Sequence, residues 1–220
     1  MEGNRNVLKR DVKRQLSRAC AGGVPYVVKE FRRPRKWMPC LLRADRGSWV
    51  NSRRLAAAEI PLLRCLGWLR AADGRGFLLF EDGGDVTLER TMARRDLPAA
   101  ERLRLLEAAV ELLARLHGAG LVYGDFNPAN IMIPAADGAL RLVDYDRLHV
   151  QYGWVPMRRR VYNLVQFMEP LSAMVSPGET AAIPEAYCRA AGLIGGARTE
   201  LLRRLRRQIP GLVQTDGETA

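Results

Sequence analysis

The chain is poor in lysine. Of its 35 basic residues only Lys9, Lys13, Lys29 and Lys36 are lysines, and the rest are arginine. Histidine is scarcer, with His117 and His149 alone. Four cysteines (Cys20, Cys40, Cys65 and Cys188) are widely spaced and form no Cys-x-x-Cys pair, which argues against a zinc site. No apolar run approaches the ~20 residues of a membrane-spanning helix. The charged start, MEGNRNVLKRDVKRQ, has no apolar segment behind it, so no secretory signal is expected. The expected compartment is the cytoplasm, with the thiols reduced. Residues 10–23 hold no Gly-x-Gly-x-x-Gly run, so a glycine-rich phosphate loop is not visible in the sequence.

What is present is a globular composition. Apolar residues make up 48% of the 220, enough to build a core and to argue against global disorder. That length suits one large domain or two small lobes sharing a cleft. The net charge is +11, which attracts polyanions: nucleic acid, anionic lipid headgroups or phosphorylated substrates. An arginine-rich composition serving solubility alone accounts for the charge equally well.

The order of patterns is β-rich first and helical later, predicting an α+β fold. Residues 7–20 read as a ragged strand, Gly22-Gly23 as a hairpin turn, and Val24–Phe31 (VPYVVKEF) as a strand. Residues 32–51 read as an irregular loop. A helix is expected from Ser52, with Leu55, Ala56, Glu59, Leu63 and Leu66 in phase, Pro61 kinking it and Gly67 closing it. Two strands follow around a turn at residues 73–76, the second (GFLLFED) apolar enough to be central. Gly83-Gly84 reads as a hinge, giving a β-rich lobe over 1–82 and a mainly helical lobe over 83–220. In the second lobe, Leu103, Leu106, Val110, Leu113 and Leu116 recur at helical spacing, and further helices are expected over 161–174 and 185–208.

The chemistry is concentrated between Leu116 and Arg147. Asp125 and Asn130 stand at Asp-x-x-x-x-Asn spacing, just before a short strand (IMI), a turn at Asp137-Gly138 and a second strand ending in Asp144. A hairpin would return Asp144 to the loop that holds Asp125 and Asn130. Two oxygen ligands, Asn130 and Asp144, then converge, which suits Mg²⁺, a hard ion that keeps water and phosphate oxygens in its shell. Asp125 is placed to orient a hydroxyl and accept its proton. Asp146 is read as a partner of Arg147, with a second acidic group at the metal as the other reading.

Gly124-Asp125-Phe126-Asn127-Pro128-Ala129-Asn130 resembles the catalytic loop of protein-kinase-like phosphotransferases, in the His-Gly-Asp form of small-molecule and atypical kinases. Tyr123 occupies the usual histidine position. Asp144-Tyr145-Asp146-Arg147 stands where ordinary protein kinases have Asp-Phe-Gly, and is similar to the lipopolysaccharide core kinases that phosphorylate Kdo or heptose sugars. The stretches SRACAGGVPYVVKEFRR and NSRR are similar to that family too. The resemblance implies a two-lobed protein-kinase-like fold, with ATP and Mg²⁺ as cofactors. It implies that Lys29 binds the α- and β-phosphates, that Glu59 is its helix-borne partner, and that Glu81 and Gly83 present backbone groups to adenine.

Three functions follow from the resemblance. The first is an ATP-dependent kinase acting on a sugar or glycolipid hydroxyl, its basic surface touching the anionic inner membrane face. The second is an atypical serine/threonine kinase with a protein substrate. The third is a pseudokinase retained as a binding module. No interleaved aromatic motif of the RNA readers occurs, which argues against a nucleic-acid partner. Trp37, Trp49 and Trp154 read as cover for apolar surface before they read as sugar-stacking groups. Arg158-Arg159-Arg160 reads equally as an anion-binding run and as a solvated helix start.

Overall fold

Gly22 and Gly23, both with positive φ (58° and 79°), fold the first part of the chain back on itself. That conformation matches the twist of a two-residue hairpin, and only glycine adopts it freely. The hairpin joins β2 (Arg14–Ala21) to β3 (Val24–Phe31), and their pairing runs unbroken from Arg14 opposite Phe31 to Ala21 opposite Val24. A computed structural model describes residues 6–10, 14–32, 44–135 and 137–209. Trp37, Cys40, residues 11–13 and residues 210–220 lie outside the described residues. The chain is α+β and divides after Gly84 into two compact units.

The first unit holds a five-stranded antiparallel sheet in the order β1-β2-β3-β5-β4, with β1 (Asn6–Arg10), β4 (Cys65–Arg70) and β5 (Gly76–Glu81) completing it. The expected single ragged strand over 7–20 is thus two strands. The inner pairs are continuous. The pair β1–β2 slips in register between Val7 and Lys9, and β4–β5 slips between Cys65 and Gly67. Gly67 therefore lies within a strand and does not close a helix.

The helix of this unit, α1, spans Ala44–Ala57, starting well before Ser52 and replacing part of the expected loop. Its start was hidden because its buried face is polar: Asp45, Ser48, Asn51 and Ser52 are buried beside Leu55. Two of these hydroxyls turn back on the helix itself, Ser48 Oγ donating to Ala44 O (2.9 Å) and Ser52 Oγ to Trp49 O (2.7 Å). The helix also stops early. Glu59 N donates to Ala56 O and Ile60 N to Leu55 O, both at 3.0 Å, and Glu59 sits at φ 54°. This pair of bonds around a left-handed residue is the Schellman ending, and Pro61 beyond it cannot continue a helix. Leu63 and Leu66 are consequently not helical.

The second unit is mainly helical. A short α2 (Leu88–Met92) is capped by Thr87, and α3 (Ala99–Gly118) buries Leu105, Leu106, Ala109, Val110, Leu113 and Leu116. Leu103 is on the exposed side, contrary to its expected place in the core. The expected helix over 185–208 is two helices. α5 (Pro177–Ala190) opens on a capping box made by Ser176 and Glu179, and α6 (Gly195–Gln208) follows a break at Gly192, φ 62°. α4 (Met157–Leu171) lies between the last strand and α5. Two small antiparallel pairs complete the unit: β6 (Leu121–Tyr123) with β9 (Leu148–Val150), and β7 (Ile131–Met132) with β8 (Arg141–Leu142). Among the described residues no helix is long and apolar enough to cross a membrane.

Candidate functional site

The loop from Gly124 to Asn130 is shaped by its own asparagines. Asn127 caps a single 3-10 turn over Pro128–Asn130, its Oδ1 accepting from Ala129 N (3.0 Å) and Asn130 N (3.2 Å). Its Nδ2 donates to Asp125 Oδ1 at 2.7 Å. Asn130 Nδ2 donates to Asp125 O at 3.0 Å, which turns the amide and leaves Asn130 Oδ1 with its lone pairs. One oxygen of Asp125 is thereby fixed from within the loop. Asp125 and Asn130 are half-buried.

The hairpin β7–β8 leaves this loop and returns to it. Ile131 pairs with Leu142, and Val143 N donates to Asn130 O at 3.0 Å. The next residue, Asp144, is exposed and left-handed (φ 57°, ψ 44°). Aspartate is among the few side chains that tolerate this region. Tyr123, fully buried, ties the two limbs together, its hydroxyl donating to Val143 O. Burial pushes the Tyr123 phenol well above its ordinary pKa, and the nearby charges of Asp144, Asp125 and Asp146 push it further. All three carboxylates are therefore close enough to act on one hydroxyl, which stays neutral and keeps donating. Tyr123 thus has a defined structural task here.

β6 and β9 pin the entrance to the loop. Gly124 N donates to Arg147 O at 2.6 Å, and a Cβ on Gly124 would lie 2.7 Å from that same oxygen. Only glycine fits so close an approach. His149 Nε2 would be 3.3 Å from the same Cβ, placing His149 beside the loop entrance, where sequence reasoning gave it no role.

Behind the loop lies a buried polar chain that sequence reasoning also missed. Asn163 on α4 donates from Nδ2 to Tyr123 O (2.5 Å) and to Gln166 Oε1 (3.0 Å). Gln166 Nε2 donates to Gly124 O at 3.2 Å and to the Tyr162 hydroxyl at 3.0 Å. His117 Nε2 lies 3.1 Å from Asn163 Oδ1, and His117 Nδ1 lies 2.7 Å from the Tyr187 hydroxyl. Arg160 donates from Nη1 to that hydroxyl (2.9 Å) and from Nε to Val155 O (3.0 Å). Burial lowers the His117 pKa to about 4, with Arg160 adding to the effect and the Asn163 bond opposing it. The available signal was polar residues, Asn163 and Arg160, in phase with the apolar face of α4.

The arginine run divides. Arg158 and Arg159 are exposed, whereas Arg160 is buried, its guanidinium 4.3 Å from the Trp154 ring centroid. Arg160 is a structural group, so the run does not act as one anion-binding patch. Trp154 itself is 62% exposed.

In the first unit, Lys29 lies mid-strand on β3, opposite Leu16 and Leu78, and is buried. Its ammonium is 5.3 Å from the Phe31 ring centroid. Glu59 lies past the end of α1, so the expectation of a helix-borne glutamate fails: the Schellman ending removes it from the helix. The buried acid on α1 is Asp45, which accepts from Trp68 Nε1 at 2.8 Å and pairs with Arg70. Glu81 N donates to Arg64 O (3.0 Å) and Glu81 Oε1 accepts from Arg64 N (2.8 Å), so its amide is already engaged. Gly83 is buried, and Asp82 beside it pairs with Arg18 at 2.5 Å and accepts from Gly84 N at 2.9 Å.

No protein-family model matches the chain. Among the described residues no group of three or more His, Cys, Asp or Glu side chains is placed to hold a metal ion. Asn130 and Asp144 offer one amide and one carboxylate, oxygen donors of the kind that Mg²⁺ takes alongside water and phosphate.

Proposed function

We propose that the chain is an ATP- and Mg²⁺-dependent phosphotransferase of protein-kinase-like fold that transfers the γ-phosphate to a hydroxyl of a lipopolysaccharide-core or related sugar. The observation that carries this reading is the loop–hairpin arrangement: Asn130 Nδ2 donates to Asp125 O, Val143 N donates to Asn130 O, and the Tyr123 hydroxyl donates to the carbonyl of Val143, the residue before Asp144. Asp125 accepts the proton of the acceptor hydroxyl and orients it, with one carboxylate oxygen held by Asn127. Asn130 and Asp144 would hold Mg²⁺, which would neutralise charge on the phosphate oxygens. Lys29 contacts the α- and β-phosphates, and backbone groups at Glu81 and Gly83 contact adenine, as the resemblance implies. Phosphoryl transfer asks a protein for positioning and charge, and Asp125, Asn130 and Asp144 are residue types suited to both.

The acceptor class rests on the Asp144-Tyr145-Asp146-Arg147 resemblance. A transfer assay with γ-labelled ATP tests it. Label in glycolipid supports the sugar reading, and label in protein alone replaces it with a protein kinase. A thermal shift with millimolar ATP and Mg²⁺ tests nucleotide binding, since a ligand at 100 times its Kd stabilises by about 2.7 kcal/mol. No shift and no transfer would leave a non-catalytic binding module.

A further inference from the structure

Two consecutive buried carbonyls, those of Tyr123 and Gly124, lead directly into Asp125. Neither is satisfied like an ordinary loop carbonyl: both accept from side chains on a single turn of α4, Asn163 for Tyr123 O and Gln166 for Gly124 O. The two amides also bond to each other. We infer that Asn163 and Gln166 are positioning residues for Asp125, and that the buried chain His117–Tyr187–Arg160 fixes Asn163 in its donating orientation.

The direction of every bond follows from the donors available. Arg160 has no acceptor, so it donates to the Tyr187 oxygen. Tyr187 has one proton, which goes to His117 Nδ1. His117 is then protonated on Nε2, which donates to Asn163 Oδ1. Asn163 is left with both Nδ2 protons, one for Tyr123 O and one for Gln166 Oε1. Gln166 in turn gives its two protons to Gly124 O and the Tyr162 oxygen. The Tyr123 carbonyl sets the direction, because it can only accept and a reversed Asn163 would face it with an amide oxygen. Asn163 is 0% and His117 2% exposed, so water does not offer an alternative partner. A chain that only filled the core could be apolar, whereas this one ends on the peptide units before Asp125.

The assignment of a catalytic task to Asp125 rests on the phosphotransferase reading, but the clamp itself can be read without it. Gln166 is only half-buried, so Gln166→Met and Gln166→Glu, which remove the donor at similar size, leave the fold intact. Hydrogen exchange is followed at the amides of Asn127, Ala129 and Asn130, which close the loop, and at Val110 and Leu113 in α3. Loss of one donor to a buried carbonyl should speed exchange in the loop about ten-fold. Exchange in α3 should not change. In the transfer assay both variants should lose kcat about ten-fold with KM for ATP unchanged. Unchanged loop exchange, or equal acceleration in loop and α3, overturns the clamp. Faster loop exchange in a protein whose wild type neither transfers phosphate nor binds ATP upholds the clamp and removes the phosphotransferase reading.

Discussion

Lowering the pH should weaken the second unit through His117. Burial holds this ring neutral, with its pKa near 4 against an ordinary 6.5. The unfolded chain therefore binds a proton between those values that the folded chain refuses. The stabilisation is present in full above pH 6.5, begins to fall below it and is lost once the pH passes 4. At about 1.4 kcal/mol per unit, the gap amounts to roughly 3 kcal/mol, of which about 2 kcal/mol is lost between pH 7 and pH 5. Urea denaturation at pH 7, 6 and 5, on the wild type and on His117→Gln, isolates the term. Glutamine offers one donor and one acceptor but does not titrate, and the carboxylates contribute equally to both proteins. The wild type should lose about 2 kcal/mol more than the variant over this range. Equal pH dependence in the two proteins, or an NMR titration of the His117 ring with a midpoint above pH 6, would refute the reasoning.

Asp125→Asn should abolish transfer while leaving the ATP-dependent thermal shift, and Asp144→Ala should weaken that shift in Mg²⁺; turnover retained in Asp125→Asn removes the base assignment. Gly124→Ala should destabilise by about 1–3 kcal/mol, because its Cβ has nowhere to go but into Arg147 O, and the urea midpoint should fall with an unchanged m value. Glu59→Gly should raise Tm, since glycine takes φ 54° without the steric penalty of a side chain, which is roughly 1–2 kcal/mol before the entropy of glycine offsets part of it.

The strand pattern of the first unit from residue 14 onward was legible because it depends on local signals, whereas the division of residues 7–20 into β1 and β2 was not. Gly22-Gly23 and the turn at 73–76 set two hairpins, and GFLLFED is flanked by β3 and β4 as an apolar strand should be. α1 was not legible at its true limits, because helical periodicity is read from apolar residues and this helix buries aspartate, serine and asparagine. Its end was missed for the complementary reason: a glutamate in the left-handed position carries no sequence mark that a glycine would. β9 is three residues long and gains its pairing from β6, some 25 residues upstream, which no window along the sequence detects. In the site, Asp125, Asn130 and Asp144 could be located by spacing and resemblance. The tasks of Tyr123, Asn163 and Gln166 depend on contacts between distant segments and emerge only in three dimensions.

The register slips in the sheet fall on its two outer pairs, β1–β2 and β4–β5, while the inner pairs run without interruption. Each slip leaves one unmatched leucine, Leu8 on one rim and Leu66 on the other. Among the described residues no further strand pairs with β1 or β4, and an uncovered rim is a row of amides and carbonyls on which a second chain can dock strand to strand. A bulge twists the rim and breaks the regular spacing such docking needs. Straightening either rim, by deleting Leu8 or Leu66, would give this arginine-rich protein a flat border, and the outcome should be self-association that its positive charge alone does not prevent.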